Sequence, residues 1–187
     1  MISSHLPVLQ VIVPLMSAPI CLFLRRVPIA TWAIALAVSW FCFGVSVTLL
    51  LQVLDTGTIV YEIGGWAAPW GIEYRVDLVN AFVLVIVAAV GAVTTPYAWT
   101  SVRREIAPRR VYLFFTMFNL CLAGLLGIAI TGDAFNLFVF LEISALSGYA
   151  LIAMARDRRA LTAAYRYLVM GTVGAAFYVI GVGLLYM

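Results

Sequence analysis

The sequence predicts an all-α fold, a polytopic bundle of six transmembrane helices, on three observations. Of 187 residues, 65% are hydrophobic and only 10% are charged, with a mean hydropathy of +1.11. A soluble domain is roughly half apolar and about a quarter charged. The apolar residues form continuous runs of about twenty, the length of a helix that crosses a bilayer, rather than the alternating strands of a membrane barrel. The basic residues are all arginines and gather in short clusters between these runs. Hydrocarbon offers the backbone no hydrogen-bond partner, so each run must satisfy its own amides as a helix.

The spans follow in order as about 6–24, 29–54, 77–100, 111–130, 134–155 and 160–187, in one transmembrane domain covering residues 1–187. The first has no basic segment before it, and Arg25 and Arg26 follow where a cleavage site would lie, so a retained helix kinked at Pro14 and Pro19 is predicted. A polar, aromatic stretch from Asp55 to Val76 separates spans two and three. Only Thr131 to Asp133 separate spans four and five, which predicts a tight antiparallel pair, with Asp133 capping the fifth helix. Glycines and alanines at Gly171, Gly174, Ala175, Gly181 and Gly183 predict that span six packs closely against a neighbour.

Arginines follow spans one, three and five: Arg25 and Arg26; Arg103, Arg104, Arg109 and Arg110; Arg156, Arg158 and Arg159. The other connections carry Asp55, Glu62, Glu73, Asp77 and Asp133 with Arg75 alone as a base. The positive-inside rule then places the arginine loops in the cytoplasm and both termini outside, in the inner (plasma) membrane. Cys21, Cys42 and Cys121 each lie within an apolar run, and His5 is the single histidine. That set has neither disulfide nor metal-ligand spacing, so no metal and no cofactor is predicted. The arginine clusters mark topology, not a nucleic-acid footprint.

One ionisable residue stands deep inside a span. Glu142 lies nine residues after Asp133 and fourteen before Arg156, roughly 14 Å and 21 Å along a helix. A carboxylate near the bilayer middle costs several kcal/mol, and such groups line ion or proton paths or pair with another charge. The structural alternative is a protonated Glu142 bonded to a neighbouring helix. Phe135, Phe138, Val139, Ala145, Leu146 and Tyr149 share its face, and Tyr149 stands two turns away. Asn136, Ser144 and Ser147 read as bonds between helices, as do Asn80 and Asn119. Arg166 lies one to two turns into span six, within reach of the surface. Asn119, Asn136, Tyr149 and Arg166 are the candidate polar support for Glu142.

The stretch from Thr131 to Ala153, TGDAFNLFVFLEISALSGYALIA, resembles the fifth helix of antiporter-like membrane subunits. These are the proton-pumping subunits of respiratory complex I and their relatives in Mrp-type Na⁺/H⁺ antiporters; the DAFNLFVF form is most similar to the D-type member of Mrp. GGWAAPWGI from Gly64 to Ile72, with Asp77 opening span three, and YRYLVMG from Tyr165 to Gly171 are similar as well. The resemblance covers essentially the whole chain. It implies the N-terminal part of such a subunit: three leading helices and the first three of a five-helix repeat. It implies also that Glu142 is the fifth-helix glutamate, whose proton affinity is modulated by a lysine two helices further on; this chain has no lysine. The function implied is a membrane subunit of a multisubunit monovalent cation/proton antiporter or a related redox-driven pump, with other membrane subunits as partners and Na⁺ or H⁺ as the ion. Such a subunit is part of a translocase, not an enzyme by itself. The alternatives are a non-transporting scaffold or assembly subunit, and a stand-alone carrier.

Overall fold

A computed structural model describes residues 5–66 and 70–186 and has six helices long and apolar enough to cross a membrane. They are α1 (Leu6–Phe23), α2 (Pro28–Thr56), α3 (Leu78–Glu105), α4 (Val111–Ile130), α5 (Ala134–Ala153) and α6 (Arg158–Leu185). Local chemistry sets their ends. Pro28 starts α2, where its missing N–H breaks no helical bond. Asp77, Asp133 and Asp157 each accept from a backbone N–H of the first turn: Asn80 at 2.8 Å, Asn136 at 2.6 Å and Arg159 at 3.0 Å. α3 runs five residues past the expected Thr100, because Arg103 and Arg104 favour the negative end of the helix dipole.

Pro14, Pro19 and Pro96 lie inside helices. Pro14 lacks the N–H that would bond the Gln10 carbonyl, and Cys42 Sγ of α2 donates to that oxygen at 3.8 Å. Trp32 Nε1 of α2 donates at 3.0 Å to the carbonyl of Thr95, the residue before Pro96 in α3.

The polar, aromatic Asp55–Val76 stretch contains a two-stranded antiparallel hairpin, which the sequence reading did not name. β1 (Ile59–Glu62) pairs with β2 (Glu73–Val76), Ile59 opposite Val76 and Glu62 opposite Glu73. It spans the acidic end of the bundle. His5 Nδ1 and Tyr61 Oη lie 3.0 Å apart, Gly132 N donates to Glu73 O at 2.9 Å, and Tyr74 bridges to Thr131. Val76 and Tyr74 are buried under it, and burial pushes the Tyr74 phenol up to about 12. Residues 67–69 of the GGWAAPWGI motif lie outside the described residues, as does Met187 at the end of span six.

α1 to α4 form the packed body. Val11, Val45, Leu49, Leu84, Leu122 and Leu126 fill its larger core; Ala35, Val102, Ile106, Val111 and Phe115 fill a second core at the arginine-rich end. α5 lies on α4 and α6 on α5. α6 is nearly bare, with Ala164 and Val182 its only buried residues.

Candidate functional site

Glycine sets how close α5 comes to α4. A Cβ on Gly124 would stand 2.6 Å from Ser144 N, and one on Gly127 would strike the Phe140 ring. The two backbones therefore touch along the middle of the pair. At its head the 131–136 turn is tied locally, since Asn136 Nδ2 donates to Thr131 Oγ1 at 2.9 Å. Asn136 is buried, and its side chain ties the start of α5 to Thr131, the residue that ends α4. Ser144 and Ser147 turn their hydroxyls back to Leu141 O and Ile143 O of α5, the ordinary recourse of a helical serine, and Ser147 also lies within hydrogen-bond reach of Cys121 on α4. Asn80 does bridge helices, donating to Ala129 O of α4 at 2.9 Å and to Arg75 O at 3.1 Å.

Glu142 is the ninth residue of α5 and half-buried. Two aromatic contacts between α5 and α6 flank it. Phe138 stacks on Tyr178 at 6.4 Å with planes 8° apart, and Tyr149 meets Tyr167 edge-on at 4.8 Å. Both pairings share one antiparallel register, which sets Gly174 level with Glu142. A Cβ on Gly174 would meet nothing within 4 Å, so α6 leaves open space beside the carboxylate's level. Gly171 is different: the Tyr149 hydroxyl fills the place of its missing side chain. Of the α6 glycines expected to receive a neighbour, Gly171 alone is occupied within the chain; Gly174, Gly181 and Gly183 face open space. Among Glu142's sequence-predicted companions, Tyr149 and Phe138 are drawn to α6, whereas Phe135, Val139 and Leu146 are exposed. Arg166 is exposed near the start of α6.

Asn119 belongs elsewhere. It is fully buried on α4 facing α1, with Nδ2 donating to Cys21 Sγ at 3.6 Å. Gln10, which sequence reasoning passed over, is fully buried too and donates to Ser46 Oγ at 2.6 Å. Gln10 Oε1 and Asn119 Oδ1 accept nothing from the described residues. Exchanging nitrogen and oxygen in either amide only moves the unpaired atom from acceptor to donor. Ser39 and Thr95, whose hydroxyls lie 3.0 Å apart, add a third polar contact to this body. Among the described residues no three of His, Cys, Asp and Glu gather as a metal set.

The site thus comprises buried polar side chains among α1–α4, a half-buried carboxylate on α5 and open space at Gly174 on α6. No protein-family model matches the chain. Individual relatives do match. NADH-quinone oxidoreductase subunit N of Desulforudis audaxviator is 41% identical over 186 residues, 98% of this chain and 37% of that protein. The chain is a homologue of the antiporter-like membrane subunits. The D-type member of the Na⁺/H⁺ antiporter of Bacillus subtilis is 30% identical over 183 residues, again 98% of this chain and 36% of that protein. In three dimensions the antiporter-like fold is found in the membrane-bound sulfane sulfur reductase, an archaeal respiratory membrane complex. A chain of that complex superposes with a TM-score of 0.88 at 30% identity, covering 97% of this chain and 37% of that one. The chain thus spans a little over a third of the length of the curated relatives it matches.

Proposed function

We propose that this chain serves as a membrane subunit of a multisubunit monovalent cation/proton antiporter, or of a related redox-driven proton pump, with Glu142 on the ion path. One observation carries the reading. Glu142 is a carboxylate in the middle of a spanning helix, half-buried, with open space at Gly174 on the facing helix. A carboxylate held there without function costs several kcal/mol. With open space at that level of the facing helix, a cation or a basic side chain brought by a neighbour can reach the carboxylate, and the same cost becomes a means of exchanging a proton. Asn119, Asn136, Tyr149 and Arg166 then divide by position. Tyr149 supports the α5–α6 contact beside Glu142, Asn136 holds the head of α5, and Asn119 and Arg166 lie away from the carboxylate's immediate contacts. The membrane is the plasma membrane, with the arginine-rich end in the cytoplasm and both ends of the chain outside. Other membrane subunits are the partners, and electron transfer, where there is any, belongs to them.

The scaffold reading draws on a different observation, the apolar and almost wholly exposed surface of α6. In it, α6 is the surface that assembles subunits, and Glu142 is a protonated interhelical bond. Glu142→Gln separates the two in the assembled complex. Transport lost in inverted vesicles at unchanged complex abundance is expected from the ion-path role. Wild-type transport at wild-type abundance overturns that role, and loss of the complex itself favours the scaffold.

A further inference from the structure

The arginine-rich end is more than a topology signal. Residues 22–32 and 99–112 carry Arg25, Arg26, Arg103, Arg104, Arg109 and Arg110 against a single acid, Glu105, which accepts from Ser101 Oγ at 2.8 Å. Three arginine-lined cavities open at this end. One, of about 370 Å³, lies where α2, α3 and α4 meet and is lined by Pro28, Ile29, Trp99, Arg103, Pro108 and Val111. A second, of about 320 Å³, shares Trp99 and Arg103 with it and adds Thr100 and Arg104. The third, of about 570 Å³, is bordered by Phe23, Arg25, Arg26 and Tyr112.

The first cavity is a built feature. The Arg103 guanidinium sits over the Trp99 ring, 5.1 Å from its centroid. Trp99 is braced by Trp32 at 5.4 Å, and Trp32 is held by its bond to Thr95 O. A cation stacked on an indole keeps its outer N–H donors free for a bidentate acceptor. The remaining walls, Pro28, Ile29, Pro108 and Val111, are apolar. This cavity lies at the ends of spanning helices, the depth at which headgroups meet acyl chains and tryptophan is favoured. A free phosphate accounts for the arginines but leaves the apolar walls unused. An uncharged hydrocarbon does the reverse. An anionic phospholipid uses both, and basic pockets between helices at the cytoplasmic face are the ordinary seat of such headgroups.

We infer that the cavity between α2, α3 and α4 is a specific site for an anionic phospholipid, with its phosphate on Arg103 beside Trp99 and an acyl chain along Ile29. Arg104 on the shared wall supplies a second cation for the headgroup. The site is independent of Glu142: it lies at the helix ends and needs no ion movement.

The test uses the assembled membrane complex that contains this chain, stripped of lipid in detergent and then offered phosphatidylglycerol or phosphatidylcholine. Lipids that remain bound are counted by native mass spectrometry. Wild type is expected to retain phosphatidylglycerol in preference to phosphatidylcholine. Arg103→Gln is expected to lower that retention about tenfold, the equivalent of one lost charge-assisted bond. Arg103→Lys, which keeps the charge, should recover part of it, and Arg166→Gln on α6 should change nothing. Arg103 is exposed at a helix end, so the variant complexes assemble and the comparison stays informative. Equal retention of the two lipids by wild type, or equal retention by wild type and Arg103→Gln, overturns the site. A photo-crosslinker at Ile29 adds a second readout. Capture of lipid supports the proposal, and capture of a neighbouring subunit in its place refutes it.

Discussion

The hydroxyl of Tyr149 on α5 occupies the place that a side chain would take on Gly171 of α6. Tyr167 closes on the same ring from one turn away, so this contact fixes how α6 lies on α5. Gly171→Ala must displace Tyr149, at a cost of about 1–3 kcal/mol for overpacking. Gly174→Ala, three residues on, meets nothing within 4 Å and gains up to about 1 kcal/mol of helix propensity. Thermal unfolding in detergent, followed by dye labelling of the buried Cys21 and Cys42, should show loss of stability for the first and none for the second. Equal behaviour of the two would refute this account of the α5–α6 contact.

Gly124 makes a stricter demand. The atom nearest its missing Cβ is the backbone nitrogen of Ser144, which no rotamer change can move. The overpacking cost of about 1–3 kcal/mol therefore outweighs the propensity gain. Gly124→Ala should destabilise the α4–α5 pair, while Gly44→Ala, in open space on α2, should not. The same labelling assay measures both.

How far these contacts could be foreseen differs by element. The helices were legible because each must bury about twenty apolar residues, and the start of α5 because Asp133 is a cap residue in plain view; the caps at Asp77 and Asp157 emerged only in the structure. The hairpin was not. Two four-residue strands amid glycines and tryptophans carry too few alternations to stand out, and their partner at Thr131 lies in a distant turn. Glu142 could be picked out as a charge in an apolar run. Its surroundings could not, because periodicity names a face without naming the helix it meets. The Asn119–Cys21 contact spans 98 residues, and the arginine cavity is assembled from three separate helix ends.

Tyr74 supplies a pH dependence. Burial raises its folded pKa from 10.0 to about 12, so the neutral phenol is the form that fits beneath the hairpin. The stabilisation from this burial is fully present below pH 10.0, the unfolded value. It falls away as pH rises from there through about 12. Protection factors of β2 amides, which divide out the base catalysis of exchange itself, should fall over that window in wild type and much less in Tyr74→Phe. A fall of the same size in both would assign the effect to another group.

The last prediction concerns which way the bundle sits. The arginine turns are gathered in space as well as in sequence, since Arg156 Nη2 reaches from the α5–α6 turn to Ile106 O at the end of α3, 3.2 Å away. At the opposite end, His5 meets Tyr61 of the hairpin, and Tyr186 Oη donates to Asp133 Oδ2 at 3.4 Å. One end of the bundle is therefore cationic and the other carries the acids, and topology follows the arginines. Cysteines placed at Thr58, exposed beside the hairpin, and at Arg109, exposed between α3 and α4, report on opposite ends. Cys21 and Cys42 are buried and Cys121 is half-buried, which keeps background labelling low. A membrane-impermeant maleimide applied to intact cells should label Thr58→Cys and spare Arg109→Cys, and inverted vesicles should give the opposite pattern. Labelling of Arg109→Cys in intact cells would reverse the orientation. It would also move the lipid cavity to the outer leaflet.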